Sequence, residues 1–246
     1  MKNIAVYSIK GGVGKTATAV NLAYVIAQQG YRTLIWDLDP QGASSYYFRV
    51  KPKVKGGFKS LLRLRQPIEK VIKGTDFDNL DLIPADFSYR NMDLRLNDAK
   101  NPQKHLAKII KPLKSEYDFL ILDCAPNITL VSENVFRMAH ALLVPIIPTP
   151  LSVRTFVQLS AHLKKHNIDR VKTFPFLSMM DSRRRLHREL GDTLPRRFPD
   201  FLAASIPYSS MVEQMGQRRA PLPSYAPGSI PSKAYFDMWE ELKRRL

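Results

Sequence analysis

Residues 10–16, Lys10-Gly11-Gly12-Val13-Gly14-Lys15-Thr16, put three glycines, two lysines and a threonine between an apolar run at 3–9 and a helical pattern at 15–29. Glycine lets a backbone wrap an anion without side-chain clash. In such a turn successive N–H groups point inward, and the next helix offers its positive end to the bound charge. Lysine followed by threonine completes a triphosphate cradle: Lys15 reaches the β- and γ-phosphates and the Thr16 hydroxyl holds Mg²⁺. The usual form of this motif has glycine where the chain carries Ile9. Here a second lysine, Lys10, stands at the entry of the loop instead.

Two more constellations place carboxylates at the ends of apolar runs. Residues 33–39 end in Asp37-Leu38-Asp39, followed by Pro40-Gln41-Gly42. Residues 119–123, Phe119-Leu120-Ile121-Leu122-Asp123, lead into Cys124-Ala125-Pro126. A strand-end carboxylate behind a phosphate loop suits Mg²⁺, directly or through water. Hydrolysis of a phosphoanhydride needs the attacking water oriented more than it needs covalent help.

The elements that must position these groups alternate between strand and helix. Apolar runs at 3–9, 33–39, 80–85, 119–123, 141–147, 172–180 and 203–206 read as strands, with a helix at 15–29 stopped by Gly30. Near-continuous apolar strands separated by helices predict an α/β fold: a mostly parallel, twisted sheet with helices on both faces. Ligands of such sheets sit at the carboxyl ends of the strands, where the aspartates fall. All 246 residues are expected in one domain. Within it, 50–73 reads as an exposed basic loop with a short helix near 60–65, and 232–246 as a C-terminal helix starting at Ser232.

Charge is the second strong signal. The chain carries 38 Lys and Arg against 22 Asp and Glu, a net +16. That exceeds the charge of about 2–8 that solubility asks of a small domain, and it attracts polyanions. Basic residues cluster at Arg183, Arg184, Arg185 and Arg188, and again at Arg218 and Arg219. Arginine forks suit bidentate, sequence-independent phosphate contacts. One cysteine, Cys124, permits no internal disulfide and fits a reducing cytosol. The N-terminus enters a strand at once, which leaves no room for a signal peptide. No apolar run is long enough for a transmembrane helix, so a cytoplasmic location is expected.

With its two lysines the loop reads xKGGxGK[ST], and this resembles the deviant Walker A motif of the ParA/MinD family of P-loop ATPases. DxDPQG at 37–42 resembles the element of the ParA, Soj-like branch, and 119–126 resembles hhhhDxPP with Ala125 in place of the first proline. The resemblance implies a P-loop fold, ATP and Mg²⁺ as ligands, and ATP hydrolysis that is weak without a partner. It makes Gly11, Gly12, Val13, Gly14, Lys15, Thr16 and Ala17 the ATP-binding loop. Thr16, Asp37 and Asp123 become the metal-side residues, and Met180 and Pro207 the residues flanking adenine. It implies catalytic roles for Lys15, for Asp39 on the attacking water, and for Lys10 reaching the partner subunit's nucleotide. It implies an ATP-dependent homodimer, a DNA-binding face built from the arginines, and a ParB-like or cargo-adaptor protein that stimulates hydrolysis. A MinD-like membrane ATPase is the alternative, using Tyr235, Phe236, Met238, Trp239 and Leu242 as an amphipathic face, although Asp237, Glu240 and Glu241 oppose anionic lipid. A metabolic P-loop enzyme would need a substrate pocket, and an electron-transfer relative would need cluster cysteines this chain lacks.

Overall fold

The computed structural model describes residues 1–63, 67–99 and 101–246. Seven strands form one sheet: β1 (Lys2–Val6), β2 (Thr33–Asp37), β3 (Lys73–Gly74), β4 (Leu80–Ile83), β5 (Phe119–Asp123), β6 (Ala141–Ile146) and β7 (Lys172–Leu177). Their order is β3-β4-β2-β5-β1-β6-β7, and only β3 runs antiparallel. The sheet is parallel because its strands are apolar on both faces. Leu34 and Trp36 enter one core and Ile35 the other; Leu120 and Leu122 face the first, Ile121 the second.

Helices cover both sides. One face carries α1 (Lys15–Gln28) and, far along the chain, α12 (Ile230–Arg245). The other carries α3 (Gly57–Leu62), α4 (Met92–Asn97), α5 (His105–Ile109), α6 (Leu130–Met138) and α7 (Pro150–Lys165). The short α2 (Ala43–Tyr47) follows β2, and α8 (Arg185–Arg197) follows β7. Three single-turn helices, α9 (Ser210–Glu213), α10 (Met215–Arg218) and α11 (Leu222–Tyr225), lead to α12. Buried Asn21 ties them to α1: its Oδ1 accepts from Leu222 N at 2.7 Å and its Nδ2 donates to Ala17 O at 2.8 Å.

Three expectations need correction. Residues 203–206 form no regular strand, although Leu202 N and Ile206 N still donate to Pro175 O and Leu177 O of β7 at 2.8 Å and a bridge joins Met180 and Pro207. Between those two bonds the side chain of Glu241 on α12 takes the amides of Ala203 and Ala204, at 2.9 and 3.1 Å through Oε2, and interrupts the pairing. The C-terminal helix starts earlier than Ser232, because Ser229 is the cap and Pro231 fits the first turn. The basic segment after residue 50 is not simply exposed. Its helix runs Gly57–Leu62, with Phe58, Leu61 and Leu62 buried, while Asp86 and Ser88 accept from Val54 N and Phe58 N. Lys51, Lys53 and Lys59 stay on the surface. The end of the helix expected at 60–65 lies partly outside the described residues.

The apolar face of α12 belongs to the core. Tyr235, Met238, Trp239 and Leu242 are at most 1% exposed, and Trp239 Nε1 donates to Gln29 Oε1 on α1 at 2.9 Å. The face that a membrane-binding helix would need is already packed against α1. No described helix is long and apolar enough to cross a membrane.

Candidate nucleotide site

The turn after β1 owes its shape to glycine. Gly12 and Gly14 have φ of 68° and 88°, the left-handed region. Gly14 is the N-cap of α1 and no side chain caps the helix. The amides from Gly11 to Ala17 find no acceptor among the described residues. A run of open N–H groups at a helix N-terminus is an anion cradle. Ser178, at the end of β7, pins the turn by donating from Oγ to Val13 O at 2.8 Å. A Cβ on Gly14 would stand 2.9 Å from that Oγ. Gly14→Ala is therefore expected to lower stability by about 1–2 kcal/mol through left-handed strain alone and to weaken nucleotide binding further. Thermal melting and nucleotide titration check this; parental values in both would contradict it.

Lys15 lies inside the turn, only 8% exposed, with its Nζ donating to Lys10 O at 3.2 Å. Burial lowers its pKa, and the carboxylates of Asp123 and Asp39 oppose that. Lys10 is half-buried at the rim, and its ammonium has no hydrogen-bond or ion-pair partner among the described residues.

Asp37 and Asp123 stand side by side, because β2 and β5 pair in register at these two residues. Both are fully buried. Asp37 Oδ2 accepts from Ser45 N and Oγ at 2.8 and 2.7 Å. Asp123 Oδ2 accepts from Ser44 Oγ at 2.7 Å, and the neighbouring Thr16 hydroxyl favours its ionised form. The remaining oxygens, Asp37 Oδ1 and Asp123 Oδ1, are buried without a hydrogen-bond partner among the described residues. Two orphan carboxylate oxygens beside a threonine hydroxyl fit a hard divalent cation such as Mg²⁺. Asp39 is half-exposed one turn on, with Oδ1 accepting from Gln41 N at 2.9 Å.

Burial, reinforced by the neighbouring Asp123, pushes Asp37 up to about 7. Burial raises Asp123 to about 6, against the hydroxyls of Ser44 and Thr16. The metal-free fold therefore holds protons that the unfolded chain releases from about pH 4 upward. Its stability falls as pH rises through the window from about 4 to 7. Asp37→Asn removes the buried charge while its amide oxygen can still accept from Ser45. The variant is expected to exceed the parent at pH 8 by on the order of 2 kcal/mol and to match it more closely at pH 5. Unfolding in EDTA at the two pH values measures the difference; an equally steep pH response in both proteins would exclude this origin.

The structure also brings Met180 and Pro207 together as a bridged pair, beside Met179, whose Cε lies 3.7 Å from the Cβ position of Gly14. It separates the arginines. Arg183 and Arg184 pair with Asp181 at 2.9 and 3.6 Å, and Arg185 with Glu189 at 2.6 Å. Arg188 donates to Ser182 O at 2.7 Å. Arg218 and Arg219 lie elsewhere, with their guanidinium groups over Tyr225 and Tyr46. Ser44, Ser45 and Ser178 escaped the sequence reading. The signal for the first two was available: serines opening a helix just behind a strand-end aspartate.

A family model for an AAA domain matches residues 1–173. The sporulation initiation inhibitor protein Soj of Bacillus subtilis is 29% identical over 98% of each chain. A putative plasmid partition protein of Borrelia burgdorferi, solved bound to AMPPNP, superposes with a TM-score of 0.85 at 20% identity, over 100% of this chain and 99% of that one. Cobyrinic acid a,c-diamide synthase of Mycobacterium smegmatis, solved with ADP and magnesium, superposes at 0.81 with 23% identity, over 100% and 95%. At these identities the two structures show the shared fold.

Proposed function

Because the chain belongs to the AAA domain family, in its ParA/MinD, Soj-like branch of P-loop ATPases, we propose that it is a positioning ATPase working as an ATP-dependent sandwich dimer. The amides of 11–17 and the Lys15 ammonium bind the phosphates of ATP. Thr16, Asp123 and, beside them, Asp37 hold Mg²⁺, which would supply positive charge to the phosphates. Asp39 orients the attacking water, and Met180 and Pro207 flank adenine. Lys10 neutralises the terminal phosphate of the partner subunit's nucleotide. The observation that carries this reading is the contrast between the lysines: Lys15 is buried in its own loop, whereas the Lys10 ammonium is unengaged at the rim.

Closed on ATP, the dimer binds double-stranded DNA non-specifically and so resides on the nucleoid. A ParB-like or cargo-adaptor protein then stimulates hydrolysis and releases it, moving a plasmid, a chromosome region or a protein body. The net charge of +16 supports the DNA step. Arg183, Arg184, Arg185 and Arg188 are proposed as the contact cluster, with Arg218 and Arg219 at a second patch. Arg183, Arg184 and Arg185 keep their guanidinium groups exposed in their present ion pairs, within reach of phosphate.

Asp39→Ala tests the cycle. ATP is expected to hold this variant as a dimer on DNA, seen by size exclusion and gel retardation. A variant that stays monomeric with ATP, or that leaves DNA as fast as the parent, would reject the scheme. Affinity is expected to fall steeply with salt, and Arg184→Ala to flatten the log–log slope by about 1. A salt-independent affinity would remove the phosphate contacts.

A further inference from the structure

A second cluster of metal-binding side chains lies away from the nucleotide site, between α6 and the end of α7. His162 and His166 are four residues apart, on one face of the helix end. Their rings stack with centroids 4.2 Å apart and planes 29° apart. Glu133, in the first turn of α6, places Oε1 3.9 Å from His162 Nε2. One donor atom from each of the three residues lies within 4.8 Å of the other two.

An ordinary ion pair does not account for this arrangement. At 3.9 Å the Glu133 carboxylate makes no hydrogen bond to the imidazole. His162 Nε2 is buried and has no hydrogen-bond partner among the described residues. A buried polar atom without a partner costs free energy that a ligand would recover.

We propose that Glu133, His162 and His166 form a zinc site that clamps α6 to α7. Two imidazoles and one carboxylate are zinc donors, and a three-residue set leaves the fourth position to water. The nitrogen donors argue against Mg²⁺ or Ca²⁺, which take oxygen. Tetrahedral donors about 2.1 Å from zinc stand about 3.4 Å apart, and the three donor atoms already lie within 4.8 Å of one another. The Arg137 guanidinium is directed at the backbone, with Nη2 3.4 Å from His166 O. Lys165 is the other neighbouring cation, and both limit the affinity. Because Thr129 caps α6 directly behind the loop that follows Asp123, the clamp would anchor one border of the nucleotide site.

The test uses the untagged full chain, stripped with EDTA and titrated calorimetrically with zinc chloride. One zinc per chain is expected, at micromolar affinity or tighter, with a higher melting temperature. Replacing zinc with cobalt is expected to give the visible absorption of a four-coordinate ion. H166Q and E133Q are each expected to weaken binding by more than about 100-fold and to lose the cobalt spectrum. D123N, which alters the nucleotide site, is expected to keep both. Circular dichroism establishes that each variant is folded, and the two single substitutions stand in for each other should one fail. No zinc binding by the parent, or binding that survives H166Q and E133Q but disappears in D123N, would overturn the proposal.

Discussion

Lys15→Ala is expected to abolish ATP binding at working concentrations while leaving the fold intact. The ammonium sits at the centre of the turn, within the field of Asp123 and Asp39, where solvent screening is weak. Truncating one member of a buried, hydrogen-bonded charge pair costs about 2–5 kcal/mol. At about 1.4 kcal/mol per decade, this weakens the affinity by roughly 30- to 4,000-fold. The fold should tolerate the change, because the Lys15 side chain makes one hydrogen bond, to Lys10 O, and its removal lifts a desolvation penalty. Calorimetric titration with ATP and Mg²⁺ measures the loss, and a melting curve establishes the fold. An affinity within a few-fold of the parent's would mean that the turn does not hold the phosphates.

Lys10→Ala separates the two lysines. If Lys10 serves the partner's nucleotide, a single subunit binds ATP about as well without it. The side chain has no partner among the described residues, so removing it costs the isolated subunit little. What disappears is the ATP-dependent dimer and with it the charge supplied across the interface. Cationic groups supplied across an interface in phosphoryl transfer are worth about 10³–10⁵ in rate, so hydrolysis is expected to fall at least to the lower figure. Analytical ultracentrifugation with a non-hydrolysable analogue tells the outcomes apart. A Lys10→Ala protein that still dimerises and turns over would place Lys10 in a local role. This experiment is independent of the zinc clamp, which neither lysine touches.

Much of the site is legible because its logic is local. A strand, a glycine turn and a helix are consecutive in the chain, so Gly12 and Gly14 announce their left-handed backbone and Lys15 its place inside the turn. Apolar strands ending in aspartate likewise announce which end of the sheet carries the site. The serines are harder. Ser178 reaches Val13 across 165 residues and Ser44 reaches Asp123 across 79, and nothing near either residue names its partner. The same distance hides why 203–206 is no regular strand, since Glu241 of the last helix holds the amides of Ala203 and Ala204.

The chain alone thus decided the phosphate turn, the strand-end carboxylates, the alternation of strands and helices and the basic surface. Each follows from residue type and short-range spacing, which act wherever the segment lies. Only the tertiary structure decided that Asp37 and Asp123 share one buried pocket, that α12 spends its apolar face on α1, that the arginines divide into two patches, and that Glu133 meets His162 and His166. Those outcomes depend on which elements the sheet order makes neighbours, and packing selects that order from residues far apart in sequence.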